Sequence, residues 1–97
     1  MREADFKSKI QKSLKKIGCT VLQYKQDSTT IKGFPDTIVL GPEAVVIFIE
    51  WKKSKRAKFQ PLQKEWGEKL LARNFFYYCI YPENADECLN EIKEILK

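Results

Sequence analysis

The sequence predicts an α/β fold, a mixed four-stranded sheet flanked by helices, with elements in the order α-β-β-β-α-β-α. Three observations predict it. The chain opens on a lysine-rich segment whose apolar residues recur at helical spacing. A segment at 44–52 is apolar on both faces, as a central strand must be. A helical segment then separates that strand from an aromatic one, the layout of a crossover between parallel neighbours.

Residues 3 to 17 read as the first helix. Phe6, Ile10, Leu14 and Ile17 follow one another at helical intervals, and Gly18 stops the helix. Thr20 to Tyr24 read as a short strand, and Asp27 to Gly33 as a polar loop. Thr37 to Leu40 form the second strand, and Gly41-Pro42-Glu43 the turn after it. Ala44 to Lys52 form the third, apolar through Ile49. Lys53 to Gln60 make a basic loop, and Pro61 suits the first turn of a helix carrying Leu62, Trp66 and Leu70. Phe75 to Tyr81 make a fourth strand, expected to follow a right-handed crossover. Asn84 and Glu87 read as a capping pair. The last helix is expected to bury Ala85, Cys88, Leu89, Ile92, Ile95 and Leu96.

The 97 residues suit one domain, 1–97, with 43% hydrophobic and 32% charged residues. There is no internal repeat or low-complexity tract. No apolar run reaches the roughly 18 residues of a membrane span. The polar start, Met1-Arg2-Glu3-Ala4-Asp5, does not resemble a secretory signal, so a cytoplasmic protein is expected. Cys19, Cys79 and Cys88 form no CxxC and read as small buried hydrophobes in a reducing cytosol. The chain has no histidine. That argues against structural zinc and removes the Ser-His and Cys-His nucleophile systems. Any catalysis falls to carboxylates, lysine, or a hard metal held by oxygen. The net charge of +5 and pI near 9.1 suit a polyanionic partner such as nucleic acid.

The third strand ends in Glu50-Trp51-Lys52. Residues two apart on a strand share a face, so Glu50 and Lys52 point together and Trp51 points into the opposite layer. Two other acid-x-Lys triplets, Asp5-Phe6-Lys7 and Glu91-Ile92-Lys93, lie on expected helices, where such residues diverge. A turn at 41–43 pairs Leu40 with Ala44 and Asp36 with Phe48. Asp36 then shares a face with Glu50 and lies diagonal to it. A slip of one residue sends Asp36 to the other face. With Asp36 on the shared face, two carboxylates converge beside a lysine. A divalent cation would relieve their repulsion, and Mg²⁺ accepts one or two carboxylates with water and substrate phosphate.

Lys32-Gly33-Phe34-Pro35-Asp36 followed by Glu50-Trp51-Lys52 resembles the signature of the PD-(D/E)xK nuclease superfamily, a restriction-endonuclease-like fold with an αβββαβ core. Within it the chain most resembles the VRR-NUC domain in its short, stand-alone phage form. Pro61-Leu62-Gln63 fits that family's glutamine at the opening of the next helix. The resemblance spans residues 3 to 81. Trp51 is bulkier than the small aliphatic residue usual there. The resemblance implies Mg²⁺- or Mn²⁺-dependent phosphodiester hydrolysis of DNA, including branched DNA or Holliday junctions, by a homodimer in the cytoplasm of the cell (the host cell for a phage protein). It implies that Asp36, Glu50 and the backbone carbonyl of Trp51 bind metal. Lys52 would assist the attacking water and Gln63 support the site. The acidic residue usual in the first helix would be Glu3, with Asp5 as second choice.

Several residues carry two readings. Gln63 also suits a plain first-turn position, and Glu3 a surface acid near a helix N-terminus. Gly33 and Pro35 suit any turn as well as a rigid approach to Asp36. Lys52, Lys53, Lys55, Arg56 and Lys58 place five basic residues within seven, either a solvated loop or, with Lys32, a DNA-backbone contact. Phe75, Phe76, Tyr77 and Tyr78 are read as sheet and core residues rather than base-stacking ones. The rival to a nuclease is a catalytically inactive nucleic-acid-binding module of the same fold.

Overall fold

The computed structural model describes residues 3–23 and 31–97, with the side chains of Glu3 and Ala4 outside that description. Expectations resting on residues 24–30, including Tyr24 at the end of the first strand, lie outside the described residues. The elements are α1 (Glu3–Lys16), β1 (Thr20–Gln23), β2 (Thr37–Leu40), β3 (Val46–Trp51), α2 (Pro61–Ala72), β4 (Phe76–Ile80), a short 3₁₀ turn (Pro82–Asn84) and α3 (Ala85–Ile95). The sheet order is β1-β2-β3-β4. β1 and β2 are antiparallel, as are β2 and β3, whereas β3 and β4 run parallel. The sheet is therefore mixed, and the doubly apolar β3 sits inside it as expected.

One face of the sheet carries the main core. Val39, Ile47, Ile49, Trp51 and Ile80 pack against Phe6, Ile10 and Leu14 of α1 and Ala85, Cys88, Leu89 and Ile92 of α3. Burying each large aliphatic side chain stabilises the fold by about 1.5–3 kcal/mol. Ile95 and Leu96 are partly buried against this cluster. α2 covers the other face. Gly67 lets the helix approach the ring of Tyr77, and Trp66 stacks edge-on against Phe34, which in turn meets Phe48. Among the described residues no helix is long and apolar enough to cross a membrane.

Gly18 ends α1 as expected. Its φ of 99° permits the Cys19 N–H to reach the Leu14 carbonyl and its own N–H to reach Lys15. Asn74, at φ 64°, ends α2 by the same pairing, from Phe75 to Leu70 and from Asn74 to Leu71.

Several expectations need correction. Ile17 lies beyond the last helical residue and is exposed, so it does not extend the α1 stripe. Of the expected α2 stripe, Leu70 is buried but Leu62 is exposed, and Gly67 is buried beside Leu70. Phe75 and Phe76 are exposed rather than core, although Phe75 still touches Phe48 edge-on. Phe75 precedes β4, and Phe76 opens the strand at the sheet's edge. Asn84 makes no side-chain cap on α3. Its amide closes the preceding turn, accepting from the Tyr81 N–H at 2.9 Å and donating to the Cys79 carbonyl at 3.1 Å.

The hairpin register also differs. Its connection is five residues, 41–45, not three, so β3 starts at Val46 and ends at Trp51. Glu43 and Ala44 both take positive φ, 53° and 65°. The Gly41 N–H reaches the Val45 carbonyl and the Val45 N–H reaches Pro42. Leu40 consequently pairs with Val46, and Ile38 with Phe48. The loop remains odd in length, so the face parity is preserved while the register moves by two. Continued one step past β2, it sets Asp36 directly opposite Glu50 rather than diagonal to it.

Candidate active site

The site lies where β2 begins and β3 ends, on the face covered by α2. Glu50 is the buried charge there, 5% exposed. Asp36, half-buried, faces it from the approach to β2, and the Asp36 backbone donates a hydrogen bond to the Glu50 carboxylate. Lys52 follows β3 and is also half-buried. Gln63, at the third position of α2, joins the two ends of the Glu-x-Lys segment. Its Nε2 donates to Glu50 Oε1 at 2.9 Å, and its Oε1 accepts from Lys52 Nζ at 2.7 Å. The same Oε1 accepts the Gln60 N–H at 3.0 Å, which ties the glutamine to the start of the helix. The amide can do this because it carries a donor and an acceptor on one rigid plane.

The electrostatics follow from this crowding. Burial, then the charge of Asp36, pushes the Glu50 carboxyl up to about 7. Lys52, the Asp36 backbone hydrogen bond and Lys7 pull it partly back. Cys79 pairs with Glu50 across the sheet, and burial raises its thiol to about 11, against a lowering pull from Lys52. Burial also raises the Tyr77 phenol, with smaller contributions from Cys79 and Glu50. These two neighbours therefore stay neutral at pH 7. Glu50 is poised between its two states, a cost that a cation beside both carboxylates would remove.

Trp51 points to the opposite layer, as its alternation with Glu50 requires. It is buried edge-on against Phe6, and its indole N–H donates to Thr37 Oγ1 at 2.8 Å. The Thr37 hydroxyl in turn donates to Asp36 Oδ1 at 3.1 Å. The bulk of Trp51 is thus accommodated in the core, and its polar edge is linked through Thr37 to the site. Residue pattern does not single out Thr37, because a threonine in a strand looks ordinary. The sign available was a tryptophan on a core face, whose N–H needs a partner.

Gly33 fixes the approach to Asp36. At φ 80° it lies so close to α2 that a Cβ there would sit 2.5 Å from the backbone carbon of Leu62. This contact locks the loop carrying Asp36 against the helix carrying Gln63.

The structure thus brings together Asp36, Glu50, Lys52 and Gln63. Asp5 is exposed on α1, and among the described residues the side-chain charges acting on Glu50 are Asp36, Lys52 and Lys7. The side chain of Glu3 lies outside the described residues. Among those described, no three of His, Cys, Asp and Glu converge as a metal cluster. Among the described residues the donor set is the two carboxylates of Asp36 and Glu50, which fits a hard cation that keeps water ligands. Lys32, Lys53, Lys55, Arg56 and Lys58 are all exposed. The three cysteines are free thiols, Cys19 and Cys88 buried and Cys79 partly so.

A solved structure described as a VRR_NUC domain superposes on this chain with a TM-score of 0.76. The match covers 91% of this chain and 94% of the other, at 21% sequence identity. The chain therefore has the VRR_NUC fold, a mixed α/β sheet of the restriction-endonuclease-like kind. No family model and no curated protein matches the sequence.

Proposed function

We propose that this chain is a Mg²⁺- or Mn²⁺-dependent DNA endonuclease. The observation that carries this reading is the Glu50–Gln63–Lys52 hydrogen-bond chain, with Asp36 opposite Glu50. Asp36 and Glu50 would hold the cation, with the Trp51 carbonyl and Glu3 as further oxygen donors. When bound, such a cation neutralises phosphodiester charge and lowers the pKa of a bound water. Lys52 orients the attacking water and stabilises the charge that develops on phosphate. Gln63 keeps the lysine and the carboxylate at fixed separation, so neither must reorganise during the reaction. In the hydrolysis, water oxygen bonds to phosphorus, the ester P–O bond breaks, and the departing oxygen takes up a proton.

Asp36→Asn, Glu50→Gln and Lys52→Ala should each reduce single-turnover cleavage of DNA by about 100-fold or more. The two carboxylate changes should also weaken Mn²⁺ binding, while Lys52→Ala should spare it. Rates near wild type in all three variants would remove the assignment.

The exposed cations at 32, 53, 55, 56 and 58 would hold the DNA backbone. Neutralising Lys53, Lys55, Arg56 and Lys58 together should weaken binding to every sequence. The slope of log K against log salt should fall by about one for each lysine or arginine that had neutralised a phosphate. An unchanged slope would make the segment a solvated loop.

The proposal extends to a homodimer acting on branched DNA. A chain with one site and one basic surface doubles both by two-fold pairing, which matches the approximate symmetry of a junction. Sedimentation at micromolar concentration, with and without a four-way junction, should show a dimer. A monomer that still cuts both strands in step would contradict it.

A further inference from the structure

The surroundings of the Lys52 ammonium extend beyond Gln63. Its Nζ also donates to the Lys58 carbonyl at 3.2 Å, and it lies over the Phe59 ring, 4.7 Å from the centroid. Two acceptors and a ring face thus surround a group that carries three hydrogens. Phe59 is 40% exposed, so the hydrophobic core does not explain its place. Gln63 and Phe59 approach the lysine from different segments: the glutamine from α2, the ring and the Lys58 carbonyl from the end of the basic loop. The stretch that carries the exposed cations therefore also determines where Lys52 stands.

We propose that Phe59 is a positioning residue for Lys52: its ring, with the Lys58 carbonyl, holds the ammonium against Gln63. The inference rests on the nuclease reading for its catalytic consequence, but the contact itself can be read without cleavage. A lysine on a flexible four-carbon stem samples many rotamers in solvent. The electron-rich ring face favours the one in which the ammonium lies over it. A tyrosine or tryptophan at 59 preserves this attraction, whereas leucine preserves bulk and loses it.

The test compares Phe59→Leu and Phe59→Tyr with the wild-type protein. The Lys52 ε-methylene resonance, assigned by its disappearance in Lys52→Arg, should be shifted upfield by the ring in the wild type and in Phe59→Tyr. It should move to the ordinary lysine position in Phe59→Leu. Single-turnover cleavage should fall about threefold to tenfold in Phe59→Leu and recover in Phe59→Tyr. DNA affinity measured with Ca²⁺, and its salt slope, should be unchanged in both. A Lys52 resonance that does not move in Phe59→Leu overturns the proposal, as does an unchanged cleavage rate. A wild-type protein that cuts no DNA defeats the nuclease reading instead, and the resonance alone then decides whether Phe59 holds the lysine.

Discussion

In metal-free solution at pH 8, Glu50→Gln should be more stable than the wild type by on the order of 3 kcal/mol. The carboxyl ionises near 4.5 in the unfolded chain and near 7 in the folded one. Between these values the folded state binds more protons, so wild-type stability falls as pH rises from about 4.5 to about 7. Above that window the penalty is complete; below it the penalty vanishes. Glutamine is neutral throughout and can still accept from Gln63 Nε2. Subtracting the two urea-denaturation profiles cancels the other titrating groups, and the difference should open across that window. Parallel profiles would mean that Glu50 is not strained by burial and Asp36. At pH 8, added Mn²⁺ should stabilise the wild type and leave the variant unmoved. A group whose charged form weakens the fold but is relieved by a ligand fits a functional site better than a structural one.

Gly33→Ala should be the most damaging small substitution on the surface of the site. A residue with a Cβ pays about 1–2 kcal/mol for the left-handed conformation alone. Its Cβ would also press within 2.5 Å of Leu62 backbone and side-chain atoms, so either the loop or the helix start must move. Asp36 lies on one side of that contact and Gln63 on the other. A displacement of about 1 Å between them should lower cleavage by about 100-fold. Gly18→Ala provides the control. It has a similar backbone requirement, φ 99°, but nothing within 4 Å of the added Cβ. It also lies before Thr20, which pairs with Leu40 at the far end of β2 from Asp36. Gly18→Ala should therefore lose stability and keep its activity in the folded fraction. Equal losses of activity in both variants would show that the Gly33 contact does not organise the site.

Residue pattern made the sheet legible because burial imposes its own period. β3 is apolar on both faces because β2 and β4 flank it and helices cover each side. Alternation alone put Trp51 in the core and Glu50 with Lys52 on the facing side. Face parity survived the mistaken turn, since loops of three and five residues are both odd. The register did not survive it, because Glu43 and Ala44 give no residue-level sign of positive φ. Asn84 misled for a different reason. The same amide that suits a helix cap closed a 3₁₀ turn one step earlier. Within the site, Gln63 is expected only through the resemblance to a family with a glutamine opening this helix, since its position alone suits a plain first turn; Thr37, Phe59 and the packing of Gly33 are not expected. Their roles depend on segments that meet only in the folded chain: Trp51 for Thr37, Lys52 for Phe59, and Leu62 for Gly33.

If Asp36 and Glu50 form one cation site beside Lys52, calorimetric titration with Mn²⁺ at pH 8 should separate three proteins. Binding should be saturable in the wild type, nearly lost in Asp36→Asn and retained in Lys52→Ala. Equal Mn²⁺ binding by the wild type and Asp36→Asn would place the cation elsewhere, and no binding by the wild type even with DNA present would leave the two carboxylates without a metal role.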